Sequence, residues 1–338
     1  MLGQELFYWV NKRLMQVTQI EEDFGGLSLI LTGDIWQLPP VLQKNLFDND
    51  VRKFENKIAL DLYNSFEEVY VLDSIMRQDK TDSKNIRFKK VLNNIRIGEV
   101  HKEDWEFLRS LFKINLNINK FIDYTFLFTT NNEVRLHNLN CLENCKGALF
   151  KIEANDSHID LTYSDESFLG NLQYRLYLKL GCKVSLIENI SVKNGLVNGS
   201  EGVLKDIIFK NRVPVILLIK FECYSEDFII DSEKIVPIFL SDREHEHYFD
   251  KQRTQFPIRL SYASTIHKSQ GSTIKKVVLD AGKNEFSPGL LYVGLLRVRD
   301  VDDLVLFPFS FERFEKICKS KSFKDRKIEW ERILSLSK

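Results

Sequence analysis

The sequence has no net charge: 48 lysines and arginines balance 48 aspartates and glutamates. A global electrostatic pull on nucleic acid is therefore excluded, and any such binding has to come from local patches. No apolar run approaches the roughly 18 residues that a membrane-crossing helix needs. A signal-peptide layout is absent as well, because Gln4, Glu5, Asn11 and Lys12 interrupt the early apolar positions. Cysteine is sparse, with five residues in an odd and scattered set that fits a reducing compartment better than a disulfide scaffold. Cys141 and Cys145 stand in a C-x3-C spacing without a second ligand pair nearby, which reads as two thiols on one helix face and not as a metal site. A phosphate loop, G-x-x-x-x-G-K-[ST], is missing too. Its glycines let successive N–H groups cradle phosphates while the lysine reaches the β and γ oxygens. Here the only Gly-Lys pair, Gly282-Lys283, is followed by Asn284 and has Val277 at the first-glycine position.

What remains is an ordinary soluble composition, 43% hydrophobic and 28% charged, in a chain of 338 residues that is long enough for two or three domains. The most informative stretch is Leu27 to Val41, LSLILTGDIWQLPPV. Its opening apolar run, Leu27 to Leu31, predicts a strand buried on both faces. Gly33 then gives a tight exit, and Pro39-Pro40 stiffen the following segment by fixing φ and removing two N–H donors. In an open parallel sheet the carboxyl ends of the strands face the ligand crevice, so Asp34 and Gln37 would stand at the lip of a site. A plain turn in which Asp34 hydrogen-bonds its own loop explains the same residues.

The string LTGDIWQLPPV resembles the third helicase motif of the Pif-type DNA helicases, a RecD-like branch that includes the helicase part of Helitron transposons. Further motifs follow in that family's order. Val69 to Leu72 reads as a strand before Asp73-Ser74-Ile75-Met76-Arg77-Gln78, which resembles the fourth motif. Ser264 to Thr273, STIHKSQGST, resembles the fifth almost letter for letter, and Leu291 to Arg299, LYVGLLRVR, looks like the sixth. The resemblance implies an ATP-dependent helicase moving 5′ to 3′ on single-stranded or forked DNA, with ATP and Mg2+ as ligands. It also implies roles in DNA repair, recombination and telomere maintenance, in the nucleus or mitochondrion of a eukaryote or otherwise in the cytoplasm. By the same resemblance Gln37, Arg77 and Arg297 act on the nucleotide phosphates, with Asp34, Gln270 and Gly271 beside them. Asn131, Thr265, His267, Lys268 and Ser269 would meet the DNA. Arginine suits the phosphate role, since its planar fork of donors matches phosphate oxygens and keeps its charge. One departure from the family pattern is Leu296, where a serine usually precedes the sixth-motif arginine.

The implied fold is α/β: a truncated first RecA-like domain (1–72) and a second RecA-like domain (73–150 and 257–338) carrying a small β-barrel insertion (151–256). Helical spacing is predicted for residues 2–20, from Leu2, Leu6, Val10, Leu14, Val17 and Ile20, and for Phe88 to Phe112. Thr130 with Glu133 has capping-box spacing at the start of a helix that follows the strand Tyr124 to Phe128. From Lys151 to Phe256 short apolar runs alternate with glycine turns, the texture of a small barrel. In the family the helix at residues 2–20 follows the Asp-Glu motif that holds magnesium, so the chain has half an ATP site and is expected to hydrolyse no ATP alone. A missing helicase half would complete it. The alternatives are a non-catalytic fragment that binds single-stranded nucleic acid or a protein partner, and a chain that folds poorly around unpaired sheet edges.

Overall fold

The computed structural model describes residues 2–72, 76–78, 81–113, 118–224, 234–283 and 287–337. Asp73, Ser74 and Ile75 of the fourth motif, and Asn284, lie outside them. The chain divides into two compact units, residues 1–129 with 265–338, and residues 130–264.

The first unit opens with helix α1 (Gln4–Thr18), continues through α2 (Phe54–Asn64), α3 (Ser83–Ile97) and α4 (Lys102–Ser110), and reaches strand β1 (Thr125–Phe128). Helix α3 is set by local chemistry. Asp82 accepts from the N–H groups of Lys84 and Asn85 at its start, and Gly98 ends it in the left-handed region at φ 76°. A methyl group on Gly98 would meet the Phe323 ring 2.3 Å away, so only glycine fits both the turn and the packing. The buried stripe Phe88, Val91, Leu92 and Ile95 enters the main core of the unit.

In the second unit, α5 (Asn131–Asn144) begins with the expected capping box, Thr130 and Glu133 each accepting from the other's backbone N–H. The strands that follow are β2 (Phe150–Glu153), β3 (Asn155–Asp156), β4 (Arg175–Leu178), β5 (Lys183–Leu186), β6 (Glu201–Lys210), β7 (Val213–Phe221), β8 (Ile235–Phe239), β9 (Ser241–His245), β10 (Tyr248–Gln255) and β11 (Ile258–Leu260). They form antiparallel sheets in the orders β11-β5-β6-β7-β8, β3-β10-β9 and β2-β4. Along β7 the buried residues Leu217, Ile219 and Phe221 alternate with less buried ones, the two-residue period of a sheet with one covered face. Arg253, fully buried on β10, pairs with both oxygens of Asp156 at 2.7 and 2.8 Å and also donates to the carbonyls of Leu161 and Leu172. Those extra acceptors are what make a buried charge tolerable.

Strand β12 (Ala263–Thr265) leads the chain back into the first unit, through α6 (Ile266–Ser269), β13 (Val277–Leu279), α7 (Leu290–Leu295), β14 (Leu304–Leu306), α8 (Phe311–Lys319) and α9 (Lys321–Leu336). There β1, β13 and β14 run parallel and adjacent. With Val277, Val278, Leu279, Leu304 and Leu306 all buried, the sheet is covered on both faces, as parallel sheets are.

Two expectations change. Leu27 to Leu31 is extended but belongs to no ladder: Leu29 and Leu31 lean on the cluster around Phe7, Phe24 and Leu62, while Leu27 and Ile30 are exposed. A strand exists only beside a hydrogen-bonded neighbour, and among the described residues none runs alongside it. Val69 to Leu72 likewise makes a single bridge, Val69 to Ser337, and exposes Tyr70 and Leu72. Helix α1 forms where the spacing places one; it buries Gln4, Phe7, Tyr8 and Asn11, with Leu2 and Leu14 half-buried against the same cluster and Leu6, Val17 and Ile20 exposed. Asn11 wins its place by accepting the Phe24 N–H in the core.

His137 on α5 is buried, and desolvation pulls its imidazole down from 6.5 to about 4. The unfolded chain therefore binds a proton that the folded one refuses, so this contribution to stability is full above pH 6.5 and is lost as the pH falls toward 4. Between pH 7 and 5 the second unit is expected to lose on the order of 1–2 kcal/mol through this group. Urea unfolding at both pH values, compared with His137→Gln, checks it: the variant should show the smaller pH dependence.

Candidate nucleotide and nucleic-acid site

The turn Asp34 to Gln37 is tied by Asp34, whose Oδ1 accepts from Trp36 N–H (3.2 Å) and whose carbonyl accepts from Gln37 N–H (3.1 Å). The Gln37 amide donates to Asp34 Oδ2 (3.3 Å), and its Oε1 accepts from Gln270 Nε2 (3.2 Å). Asp34 further faces Arg96 on α3 at 3.8 Å. Gly33, Asp34, Gln37, His267, Gln270 and Gly271 line an open concavity of about 530 Å³.

Arg77 reaches the same segment. Its Nε donates to Thr273 Oγ1 (3.1 Å), Nη1 to the Leu296 carbonyl (2.9 Å) and Nη2 to the Gly271 carbonyl (3.4 Å). Gln78, fully buried, donates to the Val298 carbonyl. Arg297 is 1% exposed; its Nε donates to Val293 O (2.8 Å) and its Nη1 to Ser269 O (2.8 Å) and Ser272 O (3.0 Å). Burial, and then the neighbouring Arg77 charge, pull the Arg297 guanidinium down to about 10. Arg77 is itself lowered by burial and by Arg299. Three guanidinium groups that raise one another's electrostatic cost form a place where an entering polyanion is favoured.

Residues 269–273 are thus the meeting point: Ser269 and Ser272 hold Arg297, Gln270 holds Gln37, and Gly271 and Thr273 hold Arg77. Gly271 has φ 86°, and nothing lies within 4 Å of where a Cβ would stand, so its backbone is open to close approach. Just upstream, the Thr265 hydroxyl caps α6 by accepting from Lys268 N–H, and Ser269 Oγ donates to Ile266 O; both side chains are buried. His267 is half-buried, with its imidazole lowered by desolvation, and Lys268 is exposed. Asn131, exposed in the first turn of α5, belongs to the other unit. Among the described residues no three His, Cys, Asp or Glu side chains cluster to hold a metal ion.

Residues that the sequence reading passed over position Gln37 from behind. Arg326 on α9, 2% exposed, donates from Nη1 to the Trp36 carbonyl (3.1 Å) and from Nη2 to the Pro288 carbonyl (3.4 Å). Trp36 packs against the tilted ring of Phe323 (ring centroids 5.0 Å) and edge-on to Trp330 (6.3 Å), and Arg96 lies over the Trp330 ring at 4.9 Å. Helix α9 thus docks against the Trp36 turn. Gly289 sits at φ 92°, where a Cβ would come within 2.8 Å of the Trp36 carbonyl and 3.0 Å of the Gln37 carbonyl. Gly289→Ala should therefore cost at least about 1–3 kcal/mol and loosen the Gln37 turn. Urea unfolding with amide exchange at residues 36–38 measures both effects; an unchanged midpoint would contradict this geometry.

Comparison with known proteins agrees with the motifs. A model of PIF1-like helicases matches residues 1–106, and one of the DNA helicase Pif1 2B domain matches residues 169–206. The chain is similar to the ATP-dependent DNA helicase PIF1 of Danio rerio, 31% identical over 91% of this chain and 45% of that protein. It is likewise similar to the Pif1 helicase of Campylobacter jejuni, 28% identical over 91% of this chain and 67% of that protein. It spans less than half the length of the vertebrate relatives. Among solved structures, the Pif1 helicase of Candida albicans superposes with a TM-score of 0.78 at 25% identity, covering 99% of this chain and 74% of that one. Bacteroides Pif1 bound to ssDNA shares the fold, with a TM-score of 0.70 at 23% identity over 98% of this chain and 72% of that one. No helix among the described residues is long and apolar enough to cross a membrane. With relatives and solved structures matching nearly its whole length, the chain is similar to the Pif1-like helicases.

Proposed function

We propose that this chain supplies the phosphate-sensing and strand-holding part of an ATP-dependent 5′–3′ DNA helicase. The observation that carries the reading is the convergence of Gln37, Arg77 and Arg297 on residues 269–273, one step along the chain from His267 and Lys268. A polyphosphate drawing on Gln37 or either arginine would alter the hydrogen bonds that fix this segment, and so the position of α6. That gives nucleotide occupancy a route to the DNA contact. Phosphoryl transfer in such enzymes is mostly positioning and charge stabilisation, the work that amide and guanidinium groups can do. Residues 1–72 then act as the first RecA-like domain, 73–150 with 257–338 as the second, and 151–256 as its insertion.

ATP is the substrate in this reading. The guanidinium groups fit its phosphates, whereas the lining carboxylate, Asp34, is engaged by Gln37 and Arg96. The described residues do not cluster into a magnesium site. Without a phosphate loop in its 338 residues, the polypeptide alone is expected to show no turnover. Single-stranded or forked DNA is the nucleic-acid partner, through Lys268, His267 and Asn131. Repair, recombination and telomere maintenance, and a nuclear or mitochondrial site in a eukaryote, are the matching cellular setting. The second reading, a non-catalytic single-strand-binding module, draws on the same exposed Lys268 together with the absent loop.

DNA-stimulated ATP hydrolysis and single-strand binding by this chain test the proposal together. Zero turnover is expected for both the parent and Arg297→Ala. Binding should fall with salt, and Lys268→Gln should reduce the slope of log K against log salt by about one. Turnover abolished by Arg297→Ala would show that the site is complete after all, and absence of single-strand binding at low salt would sink both readings.

A further inference from the structure

A second concavity lies in the first unit and is lined by Trp36, the residue before Gln37. Its volume is about 430 Å³, within the range of about 300–1,000 Å³ typical of small-molecule sites. Among the described residues, five that line it are cationic, Arg96, Lys283, Arg313, Lys316 and Arg326, against one acidic residue, Glu312. Arg313 and Arg326 are 5% and 2% exposed, charges held in a low-dielectric wall where their field is least screened. Ser310 and Ser320, the N-caps of α8 and α9, also line it, so the positive ends of two helices face the same space.

An independent observation points to an acceptor there. Trp36 is 3% exposed and lines the cavity, and its indole Nε1–H has no hydrogen-bond partner among the described residues. Buried donors are normally satisfied, and this one is not. Tyr292 and Phe323 supply flat apolar surface beside this donor.

We propose that this cavity binds a phosphoryl group, carried by a small anionic ligand. The site is separate from the Arg77–Arg297 cluster, which shares none of its lining residues, and the inference does not rest on the helicase reading. Its occupant would touch Trp36, whose backbone continues directly into Gln37, and the arginine that holds the Trp36 carbonyl.

The test is an NMR titration of the full chain carrying 15N-labelled indoles. Four tryptophans give four indole signals, with Trp36 identified by its loss in Trp36→Phe. Inorganic pyrophosphate is titrated at constant ionic strength, and a short oligothymidine in a parallel series. The expected result is a saturable shift of the Trp36 indole signal. In the exposed-charge variant Lys283→Gln/Lys316→Gln, which leaves both buried arginines in place, half-saturation should rise about tenfold or more, as expected on losing charge-assisted contacts. Arg77→Gln should leave the shift intact. A shift with pyrophosphate at lower concentration than with oligothymidine supports a free small ligand; the reverse order assigns the phosphoryl group to a DNA strand. No saturable shift with either probe, a shift unchanged in the double-lysine variant, or one lost in Arg77→Gln overturns the proposal.

Discussion

Arg326 holds the site together from behind. Its guanidinium is almost wholly buried, yet it is spent on two main-chain carbonyls, those of Trp36 and Pro288. A buried cation is costly unless its donors are met, so wherever the α9 helix docks, the Trp36 turn must present its carbonyl to it. Gly289 permits that approach, and the Trp36–Phe323–Trp330 rings close around it. Gln37, the next residue, is then aimed away from the core and toward Gln270. One charge–dipole contact at the end of the chain therefore sets the orientation of a side chain nearly three hundred residues earlier.

The side of the first unit that carries Arg77 and Arg297 follows a different logic. Arg77 and Arg297 both bind main-chain carbonyls of the segment between α6 and β13, and neither has a carboxylate for its main partner. Neutral acceptors hold the guanidinium groups in place without neutralising them. A cluster arranged this way keeps its positive potential available to a polyanion, while carbonyl partners can be exchanged at modest cost because each contact is a single hydrogen bond. The departure at position 296 is also accounted for locally. Leu296 packs against the main core, and its carbonyl, not its side chain, holds Arg77.

How much of this could be read from the sequence depended on how local the cause was. The caps of α3 and α5 were legible because Asp82, Gly98, Thr130 and Glu133 act within one helical turn. Gln37, Arg77 and Arg297 stood out because their neighbours form recognisable strings, but their convergence on residues 269–273 and the burial of Arg297 were not readable. Leu27 to Leu31 misled because an apolar run says nothing about whether a partner strand lies beside it. The helix α1 was legible from its spacing, but not its buried face, because Asn11 and Gln4 take core positions by hydrogen-bonding to distant backbone, which no periodicity reveals. Arg326 was invisible for the same reason: in KSFKDRKIEW it is one cation among several, and only the fold shows which one is buried.

The central claim, that Arg326 holds the Gln37 turn, is tested most directly by native-state amide exchange in Arg326→Met, which keeps the length of the side chain and removes its donors. The account predicts that protection at Trp36, Gln37 and Leu38 falls by about tenfold or more, the loss of roughly 1.4 kcal/mol or more of local stability, while α2 and the second unit exchange as before. Unchanged exchange at residues 36–38 in a folded variant would contradict it, and would mean that the aromatic cluster alone fixes the turn.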